Sequence, residues 1–386
     1  VINATSGGTS TLNPVDAENP FSTDAADVAL DYYWIISKSG FGFETANLSF
    51  TYDQTDATGR GNESAYVPAR YSPTTWNNIN NVALVDEATN TISFNNVTYI
   101  EGQFTAAEPS EFGVVLTYYS RANGDWNTAN SWSTVALGGA AASTIPGSST
   151  PVIIGNNNAI TISNDNTTAP SVDLQATGTL VVGDATTGHD LGTVSGEGTL
   201  SVETNDTDAT EFPGGSYTNL LGATGGTVEY TGTGNYTALN APTAFRNLTI
   251  SGSGTVTLPD ADLTLSGNIA FDGTVTTLIS NATNGDVSVG GNLTVNNASA
   301  TLQFQSGTDR SITVTGDITN TGSLQVAPGG FATHNISIGG SLTNSATLDL
   351  ANATGLHHAN VTFTGASNMS ITGTGGTTDF YRLIVN

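Results

Sequence analysis

Leu263-Thr264-Leu265-Ser266-Gly267-Asn268-Ile269 returns as Val287-Ser288-Val289-Gly290-Gly291-Asn292-Leu293, as Ile312-Thr313-Val314-Thr315-Gly316-Asp317-Ile318, and as Ile336-Ser337-Ile338-Gly339-Gly340-Ser341-Leu342. Each copy is an apolar-polar-apolar triplet, a turn carrying glycine, and the start of a second apolar segment. Gly267, Gly291, Gly316 and Gly340 recur at intervals of 24, 25 and 24. A third segment keeps the same phase: Leu302-Gln303-Phe304, Leu324-Gln325-Val326 and Leu348-Asp349-Leu350 follow at intervals of 22 and 24. Alternation of period two sends the apolar residues of each triplet to one face. Three short strands and three turns per ~24 residues make one coil of a parallel β-solenoid, and a coil of this length buries its apolar face only by stacking on its neighbours. A leucine-rich repeat of this period needs a helical segment or an asparagine ladder, neither of which the sequence declares, and a propeller blade needs ~40 residues.

Working outward, the same rhythm extends over residues 151–386, enough for roughly ten coils at the ~4.8 Å spacing of stacked strands. The expected fold is therefore all-β, with a right-handed parallel β-solenoid (β-helix) at its C-terminal side. Residues 1–112 are different. They hold Trp34 and Trp76, longer strand candidates at 28–37, 46–52, 91–99 and 103–106, and a clean alternation that puts Leu48, Phe50 and Tyr52 on one face. This pattern predicts an N-terminal antiparallel β-sandwich. Residues 113–150 form an aromatic-rich cap segment between the two, with a strand expected over 114–119.

Composition bounds the function. Asp and Glu number 33 against 7 Lys and Arg, a formal charge of −26, so no basic patch exists for nucleic acid or an anionic bilayer. Only 10% of residues are charged, and Thr plus Ser supply about a quarter of the chain, which suits strand surfaces and turns. The absence of cysteine excludes disulfides and thiolate metal sites. No apolar run approaches the ~20 residues of a membrane span. Val1 does not begin a signal peptide, so the chain is expected to be a mature form or an excised piece.

Residues able to carry chemistry are few. The four histidines, His189, His334, His357 and His358, are expected at the solvated surface, with His357 and His358 on opposite strand faces. A β-helix hydrolase needs clustered carboxylates and a lyase needs a basic residue beside calcium. The solenoid offers only Arg246, Arg310 and Arg382, far apart in sequence, and the pair Asp260 and Asp262. Calcium is the most credible ligand for so acidic a chain, and Asp53, Asp56 and Glu63 share one loop; the competing reading is a solvated turn. Tyr118, Tyr119, Trp126 and Trp132 offer rings for stacking on a glycan, or else a buried plug over the first coil.

The stretch Thr117-Tyr118-Tyr119-Ser120-Arg121-Ala122-Asn123-Gly124-Asp125-Trp126-Asn127, with Asn130-Ser131-Trp132-Ser133-Thr134, Ile145-Pro146-Gly147 and Val152-Ile153-Ile154-Gly155, resembles a module of very large secreted surface proteins of the Bacteroidota. The likeness continues through Gly178-Thr179-Leu180 to Phe245-Arg246-Asn247-Leu248-Thr249-Ile250. The preceding region, with Tyr33-Trp34, Leu48-Ser49-Phe50-Thr51-Tyr52 and Gly102-Gln103-Phe104-Thr105, is similar to the sandwich module that often precedes it. The resemblance implies export by type IX secretion and display as an adhesin-like or stalk-like array. It departs from that pattern at Ala106-Ala107-Glu108 and in lacking the C-terminal sorting domain. The expected function is a non-catalytic structural or adhesive module at the cell surface; a carbohydrate-binding module and a polysaccharide-degrading enzyme are the alternatives. Its expected partners are neighbouring repeats or identical subunits end to end, and glycans.

Overall fold

The computed structural model describes residues 2–4, 7–22, 27–40, 42–72, 74–78, 83–113, 116–203, 212–237, 242–279, 285–305, 307–351, 356–366, 369–374 and 376–385. Of the expected strand over 114–119, Val114 and Val115 lie outside the described residues; the part described as strand is Tyr118–Ser120. The chain divides into two compact units, Val1–Leu116 and Thr117–Asn386. Among the described residues the only α-helical segments are the single turns Gln54–Ala57 and Thr218–Leu221.

The first unit is a sandwich of two antiparallel sheets. One orders Ile2–Ala4, Phe43–Thr51, Thr91–Val97 and Ala83–Asp86; the other orders Thr9–Val15, Tyr33–Ser39, Gly102–Ala107, Val67–Tyr71 and Trp76–Asn78. Rings from both inner faces interlock: Trp34 stacks on Phe50 at 4.8 Å, and Phe104 meets Phe50 at 5.4 Å and Phe94 at 5.2 Å. Phe50 and Tyr52 are buried with Leu48 packed beside them, the face that the alternation marks. Among the described residues, five strands of this unit fall outside the candidate stretches, including Thr9–Val15 and Val67–Tyr71. Thr9–Val15 is exposed along almost its whole length, and Val67–Tyr71 contains Pro68, which weakens a strand pattern.

In the second unit an eleven-stranded parallel sheet runs from Gly124–Asp125 to Ile371–Thr372, and ten of its strands follow Pro151. The early coils pair it with one further sheet, of six strands, which includes Val152–Ile154, Ser171–Leu174 and Asp190–Gly196. Their repeat is shorter than the one read from the later coils: Val152 pairs with Val172, and Ile160 with Leu180 and then Leu200, steps of 20. From Tyr236–Thr237 onward two seven-stranded sheets accompany the long one, and the coil lengthens as its third side gains a strand. The long sheet steps from Ile269 to Leu293, Ile318 and Leu342, intervals of 24, 25 and 24.

The alternating residues stack in columns inside this unit. Leu263, Val287, Ile312, Ile336 and Val361 form one, and Leu265, Val289, Val314, Ile338 and Phe363 the next; all are buried. The inward positions are not all apolar. The column Ile250, Phe271, Val295 continues as Asn320 and Asn344, and Asn320 Nδ2 donates to Asn344 Oδ1 at 2.8 Å and to the Thr347 carbonyl at 2.7 Å. Bonding within the column supplies the partners that a buried amide requires.

The Gly-Asn turn of the repeat has a specific cause. Asn247 Oδ1 accepts from the N–H of Asn268 at 3.0 Å, Asn268 Oδ1 from Asn292 at 2.8 Å, Asn292 Oδ1 from Asp317 at 2.9 Å, Asp317 Oδ1 from Ser341 at 2.7 Å, and Ser341 Oγ from Ser370 at 3.1 Å. This is the side-chain ladder that the sequence does not declare, because it changes residue type from Asn to Asp to Ser. A Cβ on Gly291 would lie 2.3 Å from Asn268 Oδ1 and 2.8 Å from the Gly267 carbonyl, and one on Gly316 would lie 2.2 Å from Asn292 Oδ1. The glycines therefore make room for the ladder oxygen. Gly291→Ala is expected to cost about 1–3 kcal/mol in urea unfolding, the range for forced overpacking. Gly147→Ala, where an added Cβ meets nothing within 4 Å, is the control, and equal losses at the two sites would reject the ladder as the reason for the glycine.

Candidate functional sites

The acidic loop of the first unit is a capped turn. Asp53 Oδ1 accepts from the N–H of Thr55 at 2.9 Å and from its hydroxyl at 2.8 Å, while Asp56 Oδ2 accepts from the N–H of Asp53 at 3.0 Å, a reciprocal capping box. The two bonds from Thr55 hold the Asp53 carboxyl below the usual range. Burial, together with the facing carboxylates Asp16, Asp53 and Asp31, raises that of Asp56. Glu63 accepts from the Tyr52 hydroxyl at 2.5 Å and from Gln54 Nε2 at 2.6 Å. Among the described residues no group of three or more His, Asp or Glu side chains is arranged to hold a metal. A calcium ion at Asp53, Asp56 and Glu63 would have to displace these bonds. Chelator titration followed by calorimetry measures whether an ion does so: calcium at this loop lowers the melting temperature modestly when removed, and an unchanged temperature eliminates it.

The four aromatic residues open the solenoid unit. Tyr118–Ser120 pairs in parallel with Val152–Ile154 and antiparallel with Trp132–Ser133. Trp126 and Trp132 meet edge to face at 5.1 Å, Tyr118 meets Trp132 at 6.5 Å, and Trp132 Nε1 donates to the Trp126 carbonyl at 2.8 Å. Tyr118, Trp126 and Trp132 are at most 3% exposed, so their faces are taken by packing; Tyr119 alone is half-buried.

The histidines depart from expectation. His189, His334 and His357 are buried, and only His358 is partly open, stacked at 3.5 Å on Tyr381. The alternation itself carries the signal: His334 shares its strand face with Ile336 and Ile338, which point inward. His334 Nδ1 accepts from the N–H of Arg310 at 3.0 Å, so its proton sits on Nε2, which lies 2.8 Å from His357 Nε2. His357 then carries its proton on Nδ1 and donates it to the Ala327 carbonyl at 2.6 Å. The network leaves the His334 ring no free acceptor for a second proton. Burial, then the neighbouring His357, pushes His334 down to about 4. A metal bridging the two Nε2 atoms is incompatible with this tautomer, since it would have to displace the proton on His334 Nε2.

A groove of about 360 Å³ lies on the outer face of the eleven-stranded sheet, lined by Thr227, Asn247, Leu248, Thr249, Asn268, Ala270, Asn292 and Thr294. None is charged. Asn247, Asn268 and Asn292 are the three asparagines of the turn ladder, and Thr249, Ala270 and Thr294 are in-register neighbours along the sheet. Sequence reading misses this place because each residue looks like ordinary strand or turn surface, and only stacking assembles them.

No protein-family model, no curated protein and no solved structure matches this chain.

Proposed function

We propose that the chain is a non-catalytic structural and adhesive module of a secreted, cell-surface stalk, fibre or adhesin. The observation that carries this reading is the uninterrupted parallel sheet of eleven strands, whose coils are joined by main-chain bonds and interior columns and, from Asn247 onward, by the turn ladder as well. Redundant coupling of this kind suits a part that spaces or bears load, and the outward positions are filled chiefly with Thr, Ser and Asn. The likeness to Bacteroidota surface proteins supports the extracellular setting and export by type IX secretion. Neighbouring repeats or identical subunits end to end are the proposed partners, because a solenoid coil buries its apolar face only by stacking on another coil. Incubation with pectate, alginate and neutral polysaccharides tests the non-catalytic part: no new reducing ends and no unsaturated products are expected, and release of either overturns it. Pulling the full chain in a force spectrometer tests the structural part, with stepwise unpeeling of coils expected and a single weak rupture counting against it.

A further inference from the structure

We infer that the groove over Asn268, Ala270 and Asn292 binds an uncharged polysaccharide laid across the coils. This deepens the adhesive half of the proposed function and rests on it.

The turn ladder prepares the donors. In Asn268 and Asn292 the side-chain oxygen is committed to the backbone N–H of the following coil, so the amide cannot turn over without breaking a ladder bond. The NH2 group that remains makes no hydrogen bond to any described residue at either position, and both residues line the groove. They are therefore two fixed donors, one coil apart, that lose little freedom when a ligand accepts from them. The spacing of ~4.8 Å between stacked strands is comparable to the rise of one sugar residue in an extended chain. Thr249 and Thr294 stand on either side of Ala270 in the next row, and the Thr249 hydroxyl likewise makes no bond to a described residue. Ala270 is the short side chain between two threonines, so the row dips there with the Ala270 methyl as its apolar floor, while the Leu248 side chain points to the interior on the other side of the sheet.

An apolar floor with amide and hydroxyl groups at its sides matches a pyranose ring, which presents C–H groups on its faces and hydroxyls around its rim. The groove lacks what other ligand classes need. A cation requires carboxylates or clustered carbonyl ligands, and no Asp or Glu lines it. An extended peptide requires a free strand edge, whereas this is the face of a central sheet region. An anionic polymer meets no cation here and a chain whose formal charge is −26.

Affinity electrophoresis of the full chain through gels containing dextran, mannan, laminarin or xyloglucan, with alginate as the acidic comparison, tests the inference. Retardation is expected in at least one neutral gel and not in alginate. The double variant Asn268→Asp with Asn292→Asp keeps an oxygen for each ladder bond, as Asp317 does one coil further on, but removes both donors. It is expected to bind at least tenfold more weakly at an unchanged melting temperature. Ala270→Thr, which fills the dip without touching the ladder, is expected to weaken binding similarly and reads the same site should the double variant lose stability. No retardation in any neutral gel, or equal retardation of wild type and Ala270→Thr, overturns the groove as a glycan site. Either result leaves the stepwise unpeeling of coils, and so the structural reading, to stand or fall by itself.

Discussion

Replacing Val289 by aspartate is expected to cost the solenoid unit about 4 kcal/mol, the order for an uncompensated buried charge, whereas aspartate at the adjacent Ser288 costs under ~0.5 kcal/mol. Val289 is 1% exposed and sits between Leu265 and Val314 in an unbroken apolar column. A carboxylate there is cut off from water and has no cation in its column. It must either stay ionised at a large desolvation cost or take up a proton and still leave polar atoms unpaired. Ser288 lies one residue away on the outer face of the same strand, where a carboxylate keeps its hydration. Urea unfolding of the two variants compares them directly. An exchange of the two losses would mean that the strand faces are reversed, because a shift of one residue swaps the two sides completely, and losses of similar size would reject the buried column.

The second large effect is expected on acidification. His334 is buried, and its folded-state value of about 4 lies below the ordinary histidine value of 6.5, so the unfolded chain binds a proton that the folded chain refuses. Above pH 6.5 both states are neutral and the residue contributes no pH dependence. As the pH falls from 6.5 towards 4, stability is lost progressively, by up to about 3 kcal/mol at ~1.4 kcal/mol per unit. Geometry gives the same direction. A proton added to His334 Nδ1 would face the Arg310 N–H. The charged and titratable groups around the pair are the Arg310 side chain, the Asp309 carboxylate, which accepts from the Thr333 N–H at 2.8 Å, and His358. Phe304 covers one face of the His334 ring at 4.5 Å. Because exposed carboxylates also titrate in this range, the informative quantity is the stability difference between wild type and His334→Gln. That difference is expected to shrink by about 3 kcal/mol between pH 7 and pH 4, by the same linkage. A constant difference would show that His334 does not refuse the proton.

How much of this is legible in the sequence depends on whether a residue acts within its own coil or only through the next. Val289 and Ser288 are readable because alternation is a property of one strand, and the repeat multiplies it. His334 obeys the same alternation, yet its residue type points to the surface while its face, shared with Ile336 and Ile338, points inward. Asn320 is hidden in the same way, since an inward amide is tolerable only when Asn344 stacks upon it. The shorter early coils lack the third strand from which the period is measured, so steps such as Val152 to Val172 do not stand out. The groove is the least legible feature of all. Asn268 and Asn292 belong to successive coils, and nothing in either coil states that their side chains meet around Ala270.

The turn ladder has a consequence for how such a chain can change length. Each of its bonds runs from a side-chain oxygen to a main-chain N–H, a group that every residue except proline supplies. A coil therefore makes no demand on the identity of the ladder residue that follows it, and a glycine stands just before that residue at Asn268, Asn292, Asp317 and Ser341, though Met369 precedes Ser370. Asn, Asp and Ser succeed one another along this row without any matched pair between them. Away from the matched inward pair Asn320 and Asn344, whole coils can thus be duplicated or deleted in a gene with no compensating change in this row, so reach is adjustable by recombination while the surface chemistry of each coil drifts independently.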